Sequence, residues 1–114
     1  MTIYKAAERK VIKDAQTGKI REYILDEKLF GGVNTLYAQI TLPQGVATNY
    51  HEHHGNNETY YIMQGTGIYN DDGKEYPVQK GDVTFCPDGS GHSLNNTGKE
   101  NLVFIALIAT SPKN

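Results

Sequence analysis

Three histidines and one glutamate stand at spacings that could set them around one metal ion. His51 and His53 are two apart in a segment that reads as a β-strand, so their imidazoles leave the same face and can converge. The next four residues, His54-Gly55-Asn56-Asn57, form a polar turn, and Glu58 then opens a second strand candidate that can return its carboxylate to the same ion. His92 lies far downstream, behind Pro87-Asp88-Gly89-Ser90-Gly91, and supplies a fourth ligand only if the sheet curls to bring its strand alongside. Three imidazoles and a carboxylate suit one divalent first-row ion per chain, whether Mn, Fe, Co, Ni, Cu or Zn. In an octahedral site about two positions stay free for a chelating ligand or O₂, whereas a tetrahedral zinc would be closed and structural.

The elements that must position these residues read as β. Segments rich in Val, Ile, Thr, Tyr and Phe recur between Gly, Asn and Asp clusters, and few stretches carry helical periodicity. Strands are expected over 21–25, 35–42, 48–53, 58–64, 67–70, 75–78, 82–86, 92–95 and 102–108. Asp71-Asp72-Gly73-Lys74 is a hairpin signal, because Asp-Gly tolerates the positive φ angles that match strand twist. Pro77 belongs at a strand end or an edge. Residues 26–34, ending in Gly31-Gly32, Val33 and Asn34, read as a loop. Alternation turns Tyr60 and Ile62 toward Glu58 and the pocket, and Tyr50 and Tyr61 away from it. Strand pattern alone does not choose between a sandwich and a closed barrel.

The spacing resembles that of the cupin family. The family's first motif is matched by Gly45, His51, His53, Glu58 and Gly65, and its second by Gly81, Pro87, Gly89, His92 and Asn96, with every gap satisfied. Each five-position match has a chance of roughly one in ten thousand in a chain of this composition, so the pair in order is not accidental. The resemblance implies an all-β, antiparallel, conical jelly-roll barrel comprising the whole 1–114 chain as one domain, with a metal-binding core over about 45–96. It implies metal ligands at His51, His53, Glu58 and His92, and turn-forming roles for the glycines, Pro87 and Asn96. The segments Glu58 to Gly65 and Gly81 to Pro87 are most similar to small cupins of the oxalate-decarboxylase-like group.

Composition narrows the partners. At 114 residues, 38% hydrophobic and 21% charged, the chain is of ordinary globular make-up. The net charge of −2 with interspersed signs gives no footprint for nucleic acid. Met1 to Lys10 lacks the apolar core of a signal peptide, and the longest apolar run, Leu102 to Ala109, is too short to span a bilayer, so a cytoplasmic location is expected and no membrane partner. Cys86 is the sole cysteine, read as a small buried hydrophobe. The apolar stretch Leu102 to Ala109 and the segment Ile3 to Ile12 are expected to furnish an intersubunit sheet and a homodimer.

Three functions fit these residues. The first is a metal-dependent enzyme on a small organic acid or carbonyl compound, by decarboxylation, isomerisation or dioxygen cleavage, with the ion as Lewis acid. The second is a module that captures a small-molecule ligand through the metal without turnover. The third is a metal that only stabilises the fold. Arg21, with Asp26 or Glu27 as a lid acid, could serve an anionic ligand, but the sequence favours reading all three as surface charges.

Overall fold

The computed structural model describes residues 2–112. Ten strands follow in order: β1 Val11–Lys13, β2 Ile20–Tyr23, β3 Asn34–Leu42, β4 His51–Glu52, β5 Asn56–Gln64, β6 Thr66–Asp71, β7 Lys74–Gln79, β8 Val83–Cys86, β9 Gly91–Asn95 and β10 Leu102–Thr110. They form two antiparallel sheets. One has six strands in the order β1-β2-β3-β10-β5-β8, and the other has four in the order β4-β9-β6-β7. This is the antiparallel jelly-roll barrel expected from the sequence.

Alternation builds the core. On β5 the inward side chains Glu58, Tyr60 and Ile62 are all buried, while Tyr61 and Met63 between them are exposed. Ile40 and Leu42 of β3 and Phe104 and Ala106 of β10 complete that face, which packs on Tyr69 and Leu94 of the smaller sheet. Ile62 belongs wholly to this core and does not reach the pocket wall assigned to it above, because it lies one layer deeper in the barrel than Tyr60.

Two turns explain how the strands close. Asp72 and Gly73 both carry positive φ, 53° and 100°, and make the two-residue hairpin between β6 and β7. Gly65 carries the chain from the large sheet to the small one at φ 90°, where a Cβ would lie 2.8 Å from the Asn101 carbonyl oxygen. Only glycine satisfies both the angle and the contact. Pro77 sits on β7, the free edge of the smaller sheet, where its missing N–H costs no ladder bond.

Four expectations need correction. Val11–Lys13 forms a strand that the sequence pattern did not reveal, since all three residues are exposed and it pairs only with β2. Residues 26–34 are not simply a loop, because Asp26 accepts a bond from the Lys28 amide at 2.9 Å and caps a 3-10 turn over Glu27–Phe30. The strand expected over 48–53 shrinks to His51–Glu52, because the Thr48 hydroxyl takes the Leu94 amide at 2.9 Å in place of a regular ladder. Leu102 to Ala109 cannot offer an intersubunit edge, since β10 is flanked on both sides by β3 and β5.

Candidate metal centre

The two sheets deliver the site from opposite walls. β4 pairs with β9 so that His51 faces His92 across the strand pair, and both imidazoles point into the barrel. His53 follows two residues after His51 and is fixed by bonds from its amide to the Ser90 carbonyl and from the Gly89 amide to its own carbonyl. Asp88, in the same turn, accepts from the Gly55 amide at 3.0 Å, and this bond holds its carboxyl below the usual range. Glu58 comes from β5 in the other sheet.

The structure brings all four sequence-predicted residues together. Glu58 Oε1 lies 3.2, 3.1 and 2.8 Å from the Nε2 atoms of His51, His53 and His92. His92 Nε2 is 3.0 Å from that of His51 and 3.1 Å from that of His53. Donors at right angles on bonds of about 2.1 Å are about 3.0 Å apart, and tetrahedral ones are about 3.4 Å apart. The five separations match the first spacing and leave room for further ligands.

The outer ring nitrogens decide which atoms face the centre. His51 Nδ1 lies 2.8 Å from the Asn49 carbonyl and His53 Nδ1 lies 2.8 Å from Asn56 Oδ1; both partners accept, so in each neutral ring Nδ1 carries the proton. His92 Nδ1 is 2.8 Å from the Tyr69 hydroxyl, which can accept in the same way. Three nitrogen lone pairs and a carboxylate oxygen then meet with no hydrogen between them, an arrangement that repels itself unless a cation occupies the centre. The donor set therefore fits a divalent ion.

Electrostatics agree. Burial alone would raise the Glu58 pKa, but without an ion at the centre, protons on the Nε2 atoms of His92, His51 and His53 outweigh it and hold the carboxyl below its ordinary 4.5; a divalent ion takes the place of those protons. Tyr60 stacks on His92 with ring centroids 4.8 Å apart and an interplanar angle of 23°. Its burial raises the phenol well above its usual range. His54 is 74% exposed at its side chain and stands outside the cluster.

His53, Glu58 and His92 are buried, while the His51 side chain is 40% exposed. That open side faces a cavity of about 500 Å³. Besides Thr48 and Tyr60, its wall includes Lys19, Arg21 and Glu27. Arg21 and Glu27 are thus pocket residues and not merely surface charges, whereas Asp26 faces a separate cavity. Lys19 escaped the sequence reading; the i, i+2 series Lys19, Arg21, Tyr23, all on this wall, is the signal that marks it.

Cys86 is buried at 1% exposure on β8, opposite Glu58 in register, and burial pushes its thiol up to about 11. At pH 8 only about one thiol in a thousand is then ionised. Native protein is expected to leave a thiol-reactive dye unreacted at that pH, with rapid labelling once denatured. Equal labelling rates before and after denaturation would contradict this burial.

Comparison with known proteins places the chain. The Cupin domain model matches residues 38–108. The chain belongs to the cupin family. It is 38% identical over 86 residues to an oxalate-binding protein of Thermotoga maritima, covering 75% of this chain and 71% of that one. The crystal structure of a predicted oxalate decarboxylase from Thermotoga maritima superposes with a TM-score of 0.84 at 32% identity, covering 96% of this cupin and all of the other chain. Oxalate decarboxylase of Bacillus subtilis is 30% identical over 110 residues, which cover 91% of this cupin but only 28% of the decarboxylase. The resemblance to the oxalate-decarboxylase-like group is therefore upheld. Among the described residues no helix is long and apolar enough to cross a membrane.

Proposed function

We propose that this cupin holds one divalent first-row ion on His51, His53, Glu58 and His92 and uses it to bind a small organic acid. The observation that carries the reading is the convergence of four donor atoms beside an open cavity, with spacing that leaves ligand positions free. The bound ion would supply Lewis-acid polarisation of the ligand's oxygens. The chain's own part is to orient the three imidazoles through Asn49, Asn56 and Tyr69, and to shield one side of the site with Tyr60. The oxalate-binding relative makes oxalate the first ligand to try.

Two outcomes of binding are distinguishable. Turnover of oxalate to formate and carbon dioxide needs a proton delivered to carbon, and Glu27 is the cavity carboxyl outside the metal cluster that could deliver it. Capture without turnover is favoured by the relative named for binding, which is matched over 71% of its length. Calorimetry of metal-loaded and chelator-treated protein with oxalate, followed by assay for formate, tests both. Metal-dependent heat is expected; equal affinity without metal would refute the proposal. Formate that disappears in Glu27→Gln marks an enzyme, and binding without formate marks a capture module.

We also propose a homodimer, supported by the exposed apolar side chains Ile3, Tyr4, Val11 and Ile12. Light scattering at micromolar concentration is expected to give twice the 12.7 kDa chain mass. The chain mass itself would refute it.

A further inference from the structure

The cavity beside the metal cluster has a cationic wall that comes from outside the motifs. Lys19 and Arg21 are half-buried and line the same cavity as His51, Glu58 and Tyr60. They stand at and beside the start of β2, outside the 38–108 stretch that matches the family model. Alternation sends Glu22 to the opposite face, where its Oε2 accepts from Gln39 Nε2 at 3.0 Å. Glu22 is therefore spent elsewhere.

Among the described residues every ion pair joins a histidine to a glutamate, so neither Lys19 nor Arg21 has a carboxylate partner. Two half-buried cations facing one cavity repel each other, and among the described residues no carboxylate lies within 4.0 Å of either. Burial and then the Arg21 charge lower the Lys19 pKa, outweighing the opposite pull of Asp14 and Glu58. Glu27 at the rim is exposed and is the remaining acidic group on the wall besides Glu58. With a divalent ion in place, the ion, Glu58, Lys19 and Arg21 together carry three positive charges, and Glu27 brings the cavity to two.

We propose that Lys19 and Arg21 form a carboxylate-recognising wall, so that the ligand of this site is a dianion: one end chelates the ion and the other pairs with these two side chains. The inference rests on the metal-dependent binding reading above. It makes the two residues determinants of specificity and not metal ligands. Arg21 supplies a planar fork suited to a carboxylate, and Lys19 a point charge.

The test compares oxalate with oxamate, a monoanion of the same shape, by calorimetry on manganese-loaded wild type, Lys19→Met, Arg21→Gln, Lys19→Arg and Arg21→Lys. Metal content is measured in parallel. Both neutral variants are expected to keep their metal and to bind oxalate about 10- to 100-fold more weakly, the usual scale for a lost charged hydrogen bond. Oxamate is expected to weaken by a few-fold at most, and the charge-conserving variants to recover most of the oxalate affinity. Metal-replete variants that bind oxalate as wild type does, or lose oxalate and oxamate equally, overturn the wall alone. Wild-type protein that binds neither anion overturns the parent reading and the wall with it.

Discussion

Replacing His92 by alanine is expected to reduce metal affinity by more than about a hundredfold, because losing an outer partner of a ligand already costs about 10- to 100-fold. His92 is fully buried and its Nε2 touches the donor atoms of His51, His53 and Glu58. Glu58→Ala is expected to do the same, because it removes the single anionic donor and leaves the ion to three neutral imidazoles. A graded series follows from the outer contacts. Tyr69→Phe and Asn56→Ala remove the partners that fix the His92 and His53 tautomers, and each is expected to fall in the 10- to 100-fold range. His54→Ala is the matched control and is expected to bind as wild type does. Competition with a chromophoric chelator measures all five variants. Equal affinity across the series would contradict the assignment.

Asn96→Ala is expected to destabilise the fold by about 3–5 kcal/mol without touching the metal cluster. The side chain is 1% exposed and saturated: Nδ2 donates to the Leu42 carbonyl at 2.8 Å and to the Glu100 carbonyl at 2.9 Å, and Oδ1 accepts from the Gly98 amide at 3.0 Å. Its removal takes away one buried and two part-buried hydrogen bonds, and the buried loss costs about 1–3 kcal/mol with about 1 kcal/mol for each of the others. Asn96 therefore ties the end of β3 to the turn before β10. Denaturant unfolding in the presence of a chelator separates this loss from any contribution of metal binding. A change below about 1 kcal/mol would show that water satisfies these groups.

The positions that the sequence made legible are those fixed by short-range rules. Alternation placed Tyr60 inward and Tyr61 outward, and Asp72-Gly73 announced its hairpin because few residues tolerate positive φ. The four candidate ligands stood out because two motifs agree in every gap. What stayed hidden depends on partners distant in the chain. β1 carries three exposed residues and is a strand only because β2 lies beside it. Leu102 to Ala109 looked like an edge because apolar runs serve edges and centres alike, and only the pairing with both β3 and β5 tells them apart. Arg21 read as a surface charge and Lys19 escaped the sequence reading because nothing in their own segment reveals that β2 lies beside the metal cluster.

The most direct test of the metal centre is anomalous diffraction at the metal's absorption edge, from crystals of protein purified without chelator. One peak per chain is expected, about 2.0–2.3 Å from His51 Nε2, His53 Nε2, Glu58 Oε1 and His92 Nε2. A metal-replete crystal whose peak lies elsewhere, or is not in contact with Glu58 and His92, would contradict the site.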